Sequence, residues 1–429
     1  MPVYSDTIGI YINDSSLMVS FVRNDNVELL TNLDSSITFP LVFTISSNGN
    51  QCCNKYIAKS YPDKTISNIF RIIGKSIYDE DVQKEMSTSC IPIKENEEGE
   101  IGYWIENHSP EFYTPEIILT EIISFLQELL KKNTDLNAKY CVLSVSSMLS
   151  PKQRDCVQSA IEKSGLHVIH FIEEAMCIGY YFKRECQFDE QYENWQNDTF
   201  LVYNLSDKNL TISLFNYLDD KPNLITTYSN CSVSGNLLIQ TIIKYVEDQI
   251  NQKYNVDLLN GMNDSLIWQK EYSRLYNDIL IQLFALMQVD TIDIELPTTC
   301  KRYIHRRAKQ AKQAKHSSYD KSDDEEEAIE SIELTRSELA SILHSINIQF
   351  INSIQACLSS CHLQVEEIQH VIPVSQFSDI VIIKNKLCQL FGEEKVYKRI
   401  SGISCISFGL GDYILDFLLI VYFIKQTEY

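Results

Sequence analysis

Apolar alternation and helical spacing are clearest between Val142 and Lys183, VLSVSSMLSPKQRDCVQSAIEKSGLHVIHFIEEAMCIGYYFK. Val142, Leu143 and Val145 form a short apolar strand, and Ser150-Pro151-Lys152-Gln153 reads as a helix start. Ser150 can cap the amide of Gln153, whose side chain can reach back, and Pro151 suits the first helical position. Gly165 stops that helix, where a left-handed residue is usually wanted. Leu166 to Ile172 predicts a second strand, and Glu173 and Glu174 open a second helix whose start favours acidic side chains. The spacing therefore predicts an α/β crossover unit with its punctuation in place.

Two further segments repeat each other. Ile8 to Val22 reads IGIYINDSSLMVSFV and Leu201 to Phe215 reads LVYNLSDKNLTISLF, aligned without a gap at an offset of 193. Each offers an apolar strand, a polar turn and an alternating second strand. A duplicated hairpin opening each half of a long α/β chain marks two lobes, 1–199 and 200–429; the alternative is chance similarity between ordinary hairpins. Strands are also expected around Ser36 to Ser47, at Thr291 to Leu296 and at Val371 to Val374. Helices are expected from Thr114-Pro115, at Leu237 to Lys253, Leu266 to Met287 and Ile380 to Phe391, and from a Thr335/Glu338 capping box to about Cys361. A last helix is expected to follow Gly409 or Gly411.

Composition narrows the class. A content of 44% hydrophobic and 22% charged residues describes a folded chain, and 429 residues favour two domains over one core. A net charge of −21 argues against a nucleic-acid footprint, so no direct DNA binding is expected. The thirteen cysteines are scattered and lack paired metal spacing. With no signal peptide in MPVYSDTIGIYI, they read as free thiols of a reducing, cytoplasmic compartment. The apolar run Tyr413 to Ile424 is too short to span a bilayer and reads as a buried helix, so no membrane partner is expected. Lys301 to Lys315 is basic and Asp320 to Glu327 acidic, which reads as a charged insertion at about 300–330 on a β-hairpin tip. It is either a solvated loop or a docking arm tuned by phosphorylation at Ser322.

Phe70-Arg71-Ile72-Ile73-Gly74-Lys75-Ser76, with Asp79 and Val82-Gln83-Lys84, resembles the lobe I signature of the 70-kDa heat-shock chaperone family. Gln153-Arg154, Ala160, Gly165-Leu166, Ile172-Glu173-Glu174, Phe112-Tyr113, Thr335-Arg336 and Phe408-Gly409 match at the right intervals. The resemblance covers nearly the whole chain as the nucleotide-binding domain, and is greatest to the divergent ribosome-associated branch. It implies a two-lobed actin-like ATPase (ribonuclease H-like) fold, each lobe a mixed sheet with flanking helices. The chain stops at Tyr429, so no substrate-binding domain is expected.

The same resemblance implies ATP and Mg2+ as cofactors, yet the residues at the matching positions argue against both. The family's hairpin turns are Gly- and Thr-rich so that backbone amides can close on phosphates. Here they are Asn13-Asp14-Ser15-Ser16 and Ser206-Asp207-Lys208-Asn209. A carboxylate roughly 5 Å from a phosphate charge would cost about 3 kcal/mol at an effective dielectric near 20. The lysine that positions the attacking water falls at Phe70, and the metal-organising aspartates fall at Tyr11, Asn204, Thr211 and Ile403. The adenosine-holding Glu and Lys fall at Leu280 and Leu283, the Gly-Gly-Ser loop at Ser375-Gln376-Phe377, and the adenine-packing arginine at Asp379. Glu174, Ser15 and a degraded Gly-Gly turn at Ser234-Gly235 remain, with Ala175 where the family has proline. No catalytic set is intact and no metal site is expected. Little of the positioning and charge neutralisation that phosphoryl transfer needs survives.

Two functional readings stay open, beside that of a decaying gene copy with no retained role. One is a nucleotide-independent chaperone or co-chaperone scaffold, a pseudo-ATPase, working with a J-domain partner at the ribosome or on nascent chains. The other is an ATP-hydrolysing chaperone that uses non-standard phosphate contacts. In the first, apolar replacements such as Phe70, Leu280 and Leu283 are expected to bury one another and hold the lobes together.

Overall fold

TIGIYI and SLMVSFVR are apolar or small at almost every position, and they form Thr7–Ile12 (β1) and Ser16–Arg23 (β2), buried on both faces. The computed structural model describes residues 6–32, 34–46, 49–105, 111–145, 149–186, 195–254, 274–276, 278–283, 285, 289–296, 298, 300–306, 331–374, 377, 380–397 and 402–427. It divides into two units. The first comprises Met1–Asn197, Tyr217–Asn223 and Ile403–Tyr429, and the second Asp198–Asn216 and Leu224–Gly402.

In the first unit, Asn26–Leu29 (β3) extends the hairpin and Pro115–Thr134 (α1) follows, capped by Thr114 with proline at its start. Tyr140–Val145 (β4), Pro151–Lys163 (α2), His167–Phe171 (β5) and Glu174–Cys186 (α3) then realise the expected crossover unit. The Ser150–Gln153 capping box is formed in both directions, at 3.3 and 3.1 Å. Gly165 adopts φ +94°, the left-handed stop its position called for. The sheet runs β5-β4-β1-β2-β3, with the two-residue strand Phe39–Pro40 also on β2. β1 pairs parallel with β4 and antiparallel with β2, so the sheet is mixed.

The second unit opens with Phe200–Leu205 (β6), Leu210–Leu218 (β7) and Lys221–Asn230 (β8), the last two less their shared tip Tyr217–Asn223, then Gly235–Tyr254 (α4). Thr291–Glu295 (β9) pairs antiparallel with Ser331–Thr335 (β10). Arg336–Ile342 (α5), His344–Ser360 (α6), His370–Pro373 (β11) and Val381–Phe391 (α7) complete it. Its sheet runs β8-β7-β6-β11, the order of β3-β2-β1-β4. The registers repeat residue for residue at the offset of 193. Ile8 faces Phe21 and Leu201 faces Leu214; Ile12 faces Leu17 and Leu205 faces Leu210. Thr7 pairs with Tyr140 in parallel, as Phe200 does with His370. Shared strand order and shared register make the likeness of the two hairpins a repeat of architecture.

Three expectations need correction. The helix begun by the Thr335/Glu338 capping box does not run unbroken to Cys361. It is interrupted at Leu343, a buried residue at ψ +7° that joins α5 to α6. The basic stretch from Lys301 is not loop throughout: residues 300–306 are helical, with Cys300 and Ile304 buried in the core of the unit. The rest of that stretch, the acidic run Asp320 to Glu327 and Ser322 lie outside the described residues, as does part of the expected helix Leu266 to Met287. Finally, the last helix, Ser404–Thr427 (α8), begins before the two glycines that were expected to precede it. Gly409 instead lies against α3, where a Cβ would sit 1.7 Å from the Cys177 carbonyl oxygen. Its missing side chain permits the backbones to approach.

Each unit has its own core. That of the first gathers β1, β2, α1, β4 and α2, and that of the second β6, β7, α4 and α6. All thirteen cysteines are free thiols. Among the described residues no helix is long and apolar enough to cross a membrane.

Candidate functional site

The two hairpin turns carry the residues that the sequence singled out, and each turn is closed by its own first side chain. In the first unit, Asn13 Oδ1 accepts the backbone N–H of Ser15 at 3.0 Å and that of Ser16 at 2.8 Å. The Ser16 hydroxyl also donates to it at 3.0 Å. In the second unit, Ser206 Oγ accepts the N–H of Lys208 at 3.2 Å and of Asn209 at 3.1 Å, and donates to Asn209 Oδ1 at 2.6 Å. The first residue's own N–H closes both turns on the fourth carbonyl, at 2.9 Å from Asn13 and 2.8 Å from Ser206. Short polar side chains at the start of a turn capture the amides two and three residues on. Glycine at the same place would leave those donors for a ligand. Asp14 and Asp207 take the second position of each turn.

Beside the first turn, Tyr11 points from β1 into the unit and is almost wholly buried. Its hydroxyl donates to Glu174 Oε1 at 3.2 Å. Burial first, and then the Glu174 carboxylate, push the phenol well above its ordinary range, so it stays a proton donor. Glu174 starts α3 next to Glu173, whose carboxylate meets Arg154 at 3.2 Å. Burial pushes the Cys405 thiol up to about 12, so this buried thiol is not a thiolate at neutral pH.

Phe70 lies in a single 3-10 turn, Ile69–Arg71, and its ring is buried in the core of the first unit. The charged neighbour Arg71 turns to the nearly buried Glu85, at 2.8 Å. Leu283 is buried in the core of the second unit, and Leu280 packs against that core. Each of these apolar replacements is thus accounted for within its own unit.

In the second unit Asn204 and Thr211 face each other across β6 and β7, both nearly buried, with Thr211 Oγ1 3.4 Å from Ser229 Oγ. Ser234 and Gly235 lead into α4. Its first amides are taken up internally: Gly235 N–H by Ser206 O at 2.8 Å, Asn236 N–H by Asp207 O at 3.0 Å, and Leu237 N–H by Ser234 Oγ at 3.2 Å. The Leu238 N–H goes to the Ser234 carbonyl at 3.1 Å. A helix start normally offers these four donors to an anion. Gly235 is itself covered, since a Cβ there would meet the Phe377 ring at 2.4 Å, and Phe377 is buried. Ser375, Gln376 and Asp379 lie outside the described residues.

The structure adds two features that sequence reasoning missed: the capture of the turn amides by Asn13 and Ser206, and the Phe377 ring on Gly235. The first had a signal, since Asn and Ser favour the opening position of such turns. The second joins residues far apart in the chain and had none.

The chain matches the profile of the family described as Hsp70 protein over residues 7–409. It is 22% identical over 394 residues to "Chaperone protein DnaK" of Buchnera aphidicola subsp. Schizaphis graminum, covering 90% of this chain and 56% of that protein. It is 22% identical over 396 residues to "Mitochondrial-type heat shock protein 70" of Encephalitozoon hellem, covering 91% of this chain and 60% of that protein. The chain therefore spans a little over half the length of these curated relatives. With the chain matched over almost its whole length on a mixed α/β framework, it belongs to the Hsp70 family and has the actin-like ATPase fold of its nucleotide-binding domain.

Proposed function

We propose that the chain is a nucleotide-independent chaperone or co-chaperone scaffold, with residues 1–199 as lobe I and 200–429 as lobe II. Its partner in this reading is a J-domain protein, and its place of action is the ribosome and emerging nascent chains. The observation that carries the proposal is the pair of self-capped turns. Asn13 and Ser206 hold the amides that would otherwise face phosphate oxygens.

Releasing such an amide gives up an internal hydrogen bond of about 1 kcal/mol before any contact to the ligand is made. The donors at the start of α4 are satisfied internally as well, and Phe377 fills the space over Gly235. Tyr11 and Phe70 offer neither a metal-organising carboxylate nor a cation. Phosphoryl transfer depends on prepositioned donors and charge neutralisation, so these residues fit ATP and Mg2+ poorly. Glu174, engaged by Tyr11, serves as a structural link between β1 and α3 in this reading.

A melting curve with and without magnesium and ATP tests the proposal. A ligand at about a thousand times its dissociation constant adds roughly 4 kcal/mol to the native state. We expect no change in Tm; a rise of several degrees overturns nucleotide independence. Recovery of a J-domain partner from cell extract is expected to be equal with and without ATP, and release of that partner by ATP overturns the scaffold role.

A further inference from the structure

α6 is apolar on more than the face it gives to the core. Ile346, Phe350, Ile354 and Cys357 are buried inside the second unit. Residues 344, 347, 348, 351 and 352 form a neighbouring stripe, separated by three, four, seven and eight positions as one helical face requires. That stripe, with Ala340 of α5 and Lys386 of α7, lines a groove of about 340 Å³. Ile348 remains 48% exposed in it.

Asn347 is the unusual member. It is only 7% exposed, lines the groove, and its side-chain amide has no hydrogen-bond partner among the described residues. Lys386 supplies a positive charge at the groove, its ammonium also donating to Gln389 Oε1 at 3.0 Å, in a chain whose net charge is −21. His344 and Asn352 add further polar groups.

From these residues we infer that the groove between α5, α6 and α7 binds an extended peptide segment of a partner protein that carries a carboxylate next to an aliphatic side chain. The Asn347 amide offers one donor and one acceptor side, which match the carbonyl and N–H of a peptide unit. Ala340, Ile348 and Ile351 receive the aliphatic side chain, and Lys386 receives the carboxylate. From His344 to Asn352 the helix advances about 12 Å, the length of three to four extended residues. The site lies in the second unit and uses none of the turn residues, so it stands or falls separately from nucleotide independence.

The test is selection of a phage-displayed linear dodecapeptide library on the full chain, followed by fluorescence anisotropy of the enriched peptides. Enriched peptides are expected to place Asp or Glu within two residues of Leu, Ile or Val. Asn347→Leu and Lys386→Glu are each expected to weaken binding tenfold or more, while Lys132→Glu on the exposed end of α1 leaves it unchanged. Should Asn347→Leu fail to fold, Lys386→Glu decides alone. The inference is overturned if no peptide is enriched over the bare support, if enriched peptides lack a carboxylate, or if they bind folded Lys386→Glu as tightly as the wild type.

Discussion

Replacing Gly409 by alanine sets two effects of known sign against each other. In a helix interior the change by itself favours folding by about 1 kcal/mol, because glycine is the poorer helix former. In this helix the new Cβ would lie 1.7 Å from the Cys177 carbonyl oxygen, 2.5 Å from its carbon and 3.1 Å from the Tyr181 nitrogen. These are backbone atoms of α3, which no rotamer change can move aside. Restoring ordinary contact takes a displacement of about 1.5 Å, and overpacking of this kind costs typically 1–3 kcal/mol, occasionally more. A rigid neighbour places the cost at the upper end, so the net loss is expected to be about 2 kcal/mol. For a domain of this size that is roughly a 4–8 °C fall in Tm. Gly411→Ala in the same helix is the control. Its Cβ meets only side-chain atoms of Val27 on β3, Cγ1 at 2.3 Å, and no backbone, so the loss should be smaller. Melting followed by far-UV circular dichroism measures both. A Gly409→Ala chain as stable as the wild type, or a larger loss at Gly411, would refute the close-approach account.

Two other outcomes follow from particular side chains. Asp412 is nearly buried on α8, with Oδ1 3.0 Å from Arg184 Nη1 and Oδ2 without a hydrogen bond. Burial raises its carboxyl from 3.8 to about 7 despite Arg184, with Asp416 and Glu185 adding repulsion. The folded protein therefore holds this proton more tightly than the unfolded chain does. The stabilisation is fully present below about pH 4 and is lost as pH rises towards 7, a change on the order of 4 kcal/mol. Asp412→Asn should flatten the dependence of urea midpoint on pH in that window, and parallel curves for the two proteins would contradict it. Asn13→Ala and Ser206→Ala should each destabilise by about 1–2 kcal/mol, since each strips two turn amides of their acceptor. Equal stability of either variant and the wild type in urea titrations would show that the captured amides contribute nothing.

Much of the framework is legible in the sequence because its signals are local. The Ser150/Gln153 box, Pro151 and Gly165 fix one helix from four residues, and all of them act as their chemistry requires. The repeat at 193 is visible because both hairpins are buried on both faces and keep their apolar pattern. The misreadings concern positions where a local signal has a distant cause. Gly409 reads as helix punctuation, yet its absent Cβ answers to Cys177 more than two hundred residues away. Lys301 to Arg306 reads as solvated because its charges outnumber Cys300 and Ile304, which are the residues that reach the core. At the candidate site, the lack of glycine in both turns is plain from the sequence. Which acceptor takes which amide is a matter of distances, as is the lack of a partner for the Asn347 side-chain amide among the described residues.

The position of α8 in the chain has a kinetic consequence. It packs against β1, β2, β3 and α3, with Leu410 over Gly9 and Gly411 over Val27. Yet about 380 residues separate the end of β2 from its first turn. At a synthesis rate of roughly 5–20 residues per second, that is roughly 20–80 s in which the first sheet lacks the cover that α8 gives it. Over that time the second unit can fold on its own core, while the first waits with that part of its apolar sheet open to other chains. Newly made copies of this protein should thus be clients of chaperones until α8 has been synthesised.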